Sequence, residues 1–299
     1  MPAVVRRALL LLSGHLVVAV IALIVIGGAT RVMEAGLACP DWPLCYGTLL
    51  PGRQMNLQVF LEWFHRLDAF LVGVALLVQQ GICLSWRSRL PRWLPWLAGL
   101  PLLLVALQGA LGALTVTRLL DASTVTAHLV TALLLLVVLS GLHQWLAPDE
   151  PEQPARWWGV FCLVPLLLLL AQCLLGASMA SQWAADACLR AGESCRWLLA
   201  HRLGAYPAAL SVLLLTGSSL LAGSAARRQW PLLLASVLLV SLQVVLGILT
   251  LRLELLVPAV TIAHQLVAAL LVAVLAAIAA RSLAVPLRLR PNSLEVIHG

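Results

Sequence analysis

The sequence predicts an all-α integral membrane protein, with eight transmembrane helices arranged as two tandem, pseudo-symmetric four-helix bundles and both termini in the cytoplasm. Three observations point there. Of the 299 residues, 62% are hydrophobic and only 10% are charged, far from the make-up of a soluble domain. The apolar residues gather into eight runs, each long enough for a hydrocarbon core that needs about 20 helical residues. The second half of the chain also repeats the first.

The runs fall at 8–30, 58–84, 93–117, 123–146, 157–180, 197–222, 230–251 and 257–280. Lipid offers the backbone no hydrogen bonds, so each run must satisfy its own amides and carbonyls as a helix. The first run is too long for a signal peptide and no A-x-A-like site ends it, so no cleavable leader is expected. Turn chemistry separates the runs: Pro91 and Pro95, then Pro148, Pro151 and Pro154, then Pro286.

All 19 basic residues are arginine and the net charge is +7. The arginines are scattered through loops rather than clustered, which reads as membrane orientation and not as nucleic-acid binding. One side receives Arg6, Arg7, Arg87, Arg89, Arg92, Arg156, Arg227, Arg228, Arg281, Arg288 and Arg290; the other receives Arg31, Arg53, Arg118, Arg190, Arg196 and Arg252. The richer side is the cytoplasmic one. The acidic run Asp149, Glu150 and Glu152 does not oppose this, because acidic residues contribute little to orientation.

The repeat is visible in three places. "QGALGALTV" (108–116) resembles "QVVLGILTL" (243–251), and "TVTAHLVTALLL" (124–135) resembles "AVTIAHQLVAALL" (259–271). "WFHRLDA" (63–69) resembles "LAHRLGA" (199–205). The expected organisation is an N-terminal unit over 1–147, a cytoplasmic linker over 148–156 and a C-terminal unit over 157–299.

Four histidines inside the apolar runs carry the repeat's chemistry. His65 and His128 are 63 residues apart (128 − 65), and so are His201 and His264 (264 − 201). An ionisable side chain in a membrane span is costly and faces an interior site by default. With the topology above, all four start their helices on the outer side, within the first two turns, at about 6–12 Å from the helix end. Two histidines at one depth on facing helices suit the two axial positions of a haem iron. Two bis-histidine haem sites, one per half, are therefore expected. The bland alternative is four histidines hydrogen-bonded in helix contacts; zinc would need further ligands that the halves do not both supply.

The outward-running helices end in small residues: Gly27, Gly28 and Ala29; Gly109, Gly112 and Ala113; Gly176 and Ala177; Gly247. Such residues admit a flat macrocycle or simply a neighbouring backbone. Arg66 and Arg202 directly follow a histidine and suit haem propionates, with snorkelling to the interface as the alternative.

One position separates the halves. Glu62 lies three residues before His65, on the same helix face, whereas Leu198 occupies that place before His201. A carboxylate beside one pair only suggests chemistry in the first half and a held cofactor in the second; the alternative for Glu62 is a cap or an ion pair with Arg66. Asp68, whose counterpart is Gly204, is expected to be structurally paired. Cys39 and Cys45 flank one outer loop and Cys188 and Cys195 another, on the oxidising side where disulfides persist. Two disulfides are expected, and a redox role for the first is open. Cys83, Cys162 and Cys173 read as packing residues. His15, His143 and His298 have no repeat partner.

These residues resemble the haem A synthase family: "GLACPDWPLCYG" (36–47), "EWFHR" (62–66), "AHLVTALLL" (127–135), "AHRLGAY" (200–206) and "AHQLVAALL" (263–271), across all eight runs. The resemblance implies an enzyme of the bacterial inner membrane that oxidises the C8 methyl of haem O to the formyl group of haem A. By it, His65 and His128 hold the substrate haem O, Glu62 is the catalytic carboxylate, and His201 and His264 hold a permanent haem B that relays electrons. It further implies a Cys39–Cys45 disulfide, a haem O-producing synthase upstream, oxidase assembly factors as partners and an electron acceptor it does not specify. The loop "CLRAGESC" (188–195) keeps the cysteines but departs from the first loop's sequence. A di-haem b-type cytochrome moving electrons between quinol and an outside partner is the competing reading, and a haem transporter a third.

Overall fold

The computed structural model describes residues 1–147, 154–179 and 182–283. Eight helices of 22–30 residues, long and apolar enough to cross a membrane, account for most of it: α1 (Ala3–Val32), α2 (Leu57–Ser85), α3 (Leu94–Thr117), α4 (Ala122–Leu146), α5 (Arg156–Ala177), α6 (Arg196–Ser218), α7 (Trp230–Arg252) and α8 (Pro258–Ser282). Most of the linker expected at 148–156 lies outside the described residues, as do Pro286, Arg288, Arg290 and His298.

Local chemistry sets the ends. The Asn56 side chain accepts from the Val59 amide at 2.9 Å and starts α2. Asp121 caps α4, accepting from the Ser123 and Thr124 amides and the Ser123 hydroxyl; these bonds, the hydroxyl first, hold its carboxyl below the usual range. Proline occupies the first turn of α3, α7 and α8, where the missing N–H is not needed. Pro95, expected in a connection, is thus inside α3. Other expected ends shift too: α1 begins at Ala3 rather than 8, α5 stops at Ala177 rather than 180, and α6 stops at Ser218 rather than 222. After Ser218 the chain turns sharply and a four-residue helix, Ser224–Arg227, leads into α7.

One turn recurs. Leu119 and Leu120 adopt positive φ (50° and 61°) after α3, and Glu254 and Leu255 do so (49° and 62°) after α7, a shift of 135 (254 − 119). Consecutive non-glycine residues rarely take this conformation, so the same uncommon turn closes the third and seventh helices. The Leu120 amide donates to Thr115 O and the Leu255 amide to Thr250 O, again at that shift.

Packing runs in two cycles. Helix α1 contacts α2, α2 contacts α3, α3 contacts α4 and α4 returns to α1; α5, α6, α7 and α8 close in the same order. The cycles meet where α8 packs on α4 and α1, and α4 on α5. The shared core, including Leu16, Leu136, Leu139, Trp158, Leu271 and Leu275, sits along these inner helices, with Leu76, Leu215 and Leu233 joining it from α2, α6 and α7, and α4 and α8 have the most buried faces. Helices α2, α3, α6 and α7 turn large apolar side chains outward, as a lipid-facing surface does.

Candidate functional site

Each of the four histidines lies five to eight residues inside its helix, His65 in α2, His128 in α4, His201 in α6 and His264 in α8. That is roughly 8–12 Å along the axis from the helix start. Every ring lies against a glycine of the preceding long helix. A Cβ built on Gly27 would stand 2.9 Å from His65 Cε1; the corresponding distances are 3.6 Å for Gly112 to His128, 3.0 Å for Gly176 to His201 and 3.1 Å for Gly247 to His264. At Gly27, Gly176 and Gly247 the missing Cβ lets the imidazole lie close on the neighbouring backbone, whereas at Gly112 the contact is an ordinary one. Three of the small residues singled out in the sequence therefore have one job, repeated.

The His65 and His128 rings face each other with centroids 6.4 Å apart at an interplanar angle of 73°. Two metal–imidazole bonds of about 2 Å, with about 1 Å more from each nitrogen to its ring centre, span about 6 Å. Nδ1 of His65, His128 and His264 is buried with no hydrogen-bond partner, a condition that native structures rarely tolerate without a ligand or water. Among the described residues no three His, Cys, Asp or Glu side chains converge as a metal cage. Two-histidine sets leave an iron's remaining positions to a macrocycle, so these residues fit a haem.

Glu62 is 4% exposed. Its Oε2 accepts from the Cys39 amide at 2.7 Å and its Oε1 from Arg66 Nη2 at 2.5 Å. Arg66 Nη1 also donates to the carbonyls of Asp41 (2.7 Å) and Leu44 (2.5 Å). The ion pair weighed as the alternative for Glu62 is therefore present, and it coexists with a carboxylate one turn from the histidine pair. Arg66, considered for a propionate, has both terminal nitrogens committed to Glu62 and the loop, while Arg202 is exposed. Asp68, expected to be paired, has no hydrogen-bond or ion-pair partner among the described residues.

The sulfurs of Cys39 and Cys45 are bonded, as are those of Cys188 and Cys195. Cys39 and Cys45 are buried beneath their loop against Val59 and Trp63, and Trp63 Nε1 donates to Leu49 O at 2.6 Å. Asp41 takes the amides of Tyr46 and Gly47, which folds the loop on itself. The second loop is built differently, around a helix over Gln182–Ala191 that no apolar run announces. Cys83 and Cys162 are buried and unbonded. His143 lies against Gly14, its Nδ1 3.1 Å from the Ser13 hydroxyl, far along α4 from His128.

Sequence reasoning missed three glutamines. Gln108 Nε2 donates to the His128 carbonyl at 2.8 Å. Gln172 Nε2 donates to the His201 carbonyl at 2.6 Å and lies 3.1 Å from that histidine's Nδ1. Gln243 Nε2 is 3.2 Å from His264 Nε2. Each stands four residues before a histidine-packing glycine, in "QGALG", "QCLLG" and "QVVLG"; that spacing was the available signal.

Fold and site together define a polytopic helical membrane protein with four glycine-backed intramembrane histidines. The chain belongs to the COX15-CtaA family, described as cytochrome oxidase assembly protein, whose profile matches residues 9–276. Similar proteins include one called heme A synthase from Shewanella oneidensis, 33% identical over 55% of this chain and 54% of its own length. Others of that name are from Sphingopyxis alaskensis, 32% identical over 54% of this chain and 55% of its own, and Allorhizobium ampelinum, 30% identical over 87% and 86%. The chain thus spans about half the length of the first two and most of the third. Eight apolar helices and bacterial relatives make it a multi-pass protein of the bacterial inner membrane.

Proposed function

We propose that this protein is a haem A synthase, oxidising the C8 methyl of haem O to the formyl group of haem A. The carrying observation is an asymmetry inside a repeated frame: four histidines lie on four glycines, yet among the described residues only the His65–His128 pair has a buried carboxylate, Glu62, one turn away. His65 and His128 would then hold the substrate, and His201 and His264 haem B. Haem B, when bound, supplies a relay for the electrons removed.

The chain's own residues have defined tasks in this reading. The methyl is oxidised to the alcohol and then to a gem-diol, which loses water. Written with water as the oxygen donor, each round releases two electrons and two protons to an acceptor. Glu62 takes a proton from the reacting carbon's side or stabilises positive charge developing there. Its two hydrogen bonds, from the Cys39 amide and Arg66, fix where that charge sits. Helices α1 to α4 pack in a ring, and α2 and α4 carry the two histidines of the first pair.

The frame is best explained as two four-helix units, 1–147 and 157–299, of one tandem duplication. The recurring turns at Leu119–Leu120 and Glu254–Leu255 and the matching packing cycles support this. With the arginine bias, both termini are cytoplasmic and the histidines and disulfides lie towards the outer face. A haem O-producing farnesyltransferase upstream and oxidase assembly downstream complete the setting. A di-haem electron carrier would want equivalent pairs, which the Glu62/Leu198 difference denies.

The test is expression with a haem O supply, followed by chromatography of the extracted haem. Haem A is the expected product; recovery of haem B and unaltered haem O alone would refute the enzyme.

A further inference from the structure

Towards the other ends of α1, α2 and α4 lies a polar layer to which the reaction gives no task. Two separate apolar clusters bracket it: Leu16, Leu76 and Leu139 belong to one, and Leu9, Cys83 and Leu142 to the other. Between them fall Ser13 on α1, Gln79 on α2 and Ser140 on α4, so the three share one depth. Gln79 is 14 residues past His65 (79 − 65), about 21 Å along the helix. Ser13 and Gln79 are fully buried, and Ser140 is 3% exposed. His143, one turn past Ser140, enters the same layer. Its ring lies against Gly14, and its Nδ1 is 3.1 Å from the Ser13 hydroxyl and 3.2 Å from Leu10 O. Ser13 and His143 are thus provided for. Gln79 is not: neither its Nε2 nor its Oε1 has a partner, and the Ser140 hydroxyl has none either.

A fully buried amide whose donor and acceptor are both unpaired is rare and costly. Packing alone would favour a leucine there. Leu215 stands at the matching place of the second half, 136 residues on (215 − 79), while Ala276 and Ala279 match Ser140 and His143; all three belong to the shared apolar core. The layer is therefore an addition to the repeat and not part of it. We propose that Gln79 is the centre of a buried water site. Water accepts from its Nε2, donates to its Oε1, and bridges to the Ser140 hydroxyl and the Ser13–His143 pair. Water is the ligand the layer fits, because an internal water makes about three hydrogen bonds to otherwise unsatisfied polar groups. The layer offers a donor, an acceptor and a hydroxyl that can be either. A cation fits poorly: the acidic residues of α1 to α4, Glu62 and Asp68, lie towards the histidines, and the layer has none. The bridge ties together the three helices that supply Gly27, His65 and His128, at the ends away from those residues. It holds whichever haem the first pair takes.

The experiment uses the full-length protein as purified, in phosphatidylethanolamine–phosphatidylglycerol nanodiscs, exposed to brief X-ray radiolysis and read by mass spectrometry. Hydroxyl radicals formed at a bound water oxidise the side chains beside it, even where bulk solvent does not reach. Cys83 is the reporter, one turn from Gln79, unbonded and 1% exposed. It should be oxidised in the unaltered protein, and Gln79→Leu, at unchanged helicity, should abolish that oxidation. Gln79→Leu should also lower the thermal midpoint by about 2–4 °C, the scale of one lost hydrogen bond. Adding Ser140→Ala to it should then cost little, because both act through one water. Absence of Cys83 oxidation in the unaltered protein, or equal oxidation in Gln79→Leu, overturns the proposal. So does a rise in the thermal midpoint, which marks the amide as a dry, unpaired group. If Gln79→Leu does not accumulate, Ser140→Ala is read in its place. Reduced Cys83 oxidation is then expected, and unchanged oxidation overturns the site.

Discussion

The pockets around His65 and His201 are built on one plan: a histidine near the start of a helix lies on a glycine of the preceding long helix, with an arginine next in sequence. Around His65, a glutamate one turn earlier grips an outer loop through the Cys39 amide, and the place level with the ring on the glycine helix is Leu23. Around His201, that glutamate is Leu198 and the level place is Gln172, whose amide holds the imidazole. The first pocket has charge and a loop beside its histidine; the second has a neutral amide. In the proposed reading the two histidines serve different ends because their neighbours differ, and the difference is carried by very few side chains.

The comparison breaks most visibly at Glu62. Glu62→Ala should lower formyl production by about 10²–10⁴-fold with the haem B spectrum intact, measured by extracted-haem chromatography beside absorption spectroscopy; loss of haem B with product still formed would invert the halves. Next in size, His201→Ala should abolish the low-spin haem B spectrum while leaving haem O able to bind at the first pair. Cys39→Ser opens a short loop whose closure is worth about 2 kcal/mol on chain entropy. It should raise protease sensitivity in the first outer loop and lower turnover, with haem B unchanged.

A glycine series sharpens the comparison further. Gly27→Ala, Gly176→Ala and Gly247→Ala each force a Cβ to 2.9–3.1 Å from an imidazole carbon, whereas Gly112→Ala meets its histidine at an ordinary 3.6 Å. The first should disturb the substrate pair, the next two the haem B spectrum, and Gly112→Ala should be the mildest. Smallest of all, Asn56→Ala removes the cap of α2 at a cost of about 1 kcal/mol, read as a modest fall in thermal stability with both spectra preserved.

Most of the architecture was legible because hydropathy and proline placement are local properties. The helix ends were less so. Ser218 ends α6 although Leu220, Leu221 and Ala222 continue the apolar run, of which Ala222 is buried and the two leucines are exposed beyond the helix end. The four histidines, Glu62 and the cysteines were visible from spacing and from the difference between the repeats. The link from Glu62 to the Cys39 amide was hidden, because a backbone donor carries no side-chain signature and becomes available only when the loop folds. The glutamines were readable in "QGALG" and "QVVLG" but look like ordinary polar residues until their distance to a histidine is known.

The double grip of α2 on the Cys39–Cys45 loop carries a consequence of its own. Glu62 takes one amide of the loop and Arg66 two of its carbonyls, and each also neutralises the other. The position of the carboxylate and the position of the loop are therefore thermodynamically linked, and linkage is reciprocal. Whatever draws the loop away frees the carboxylate to move, and whatever moves the carboxylate loosens the loop by the same free energy. A contact made on the loop and a shift of the side chain within the bundle are two readings of one equilibrium.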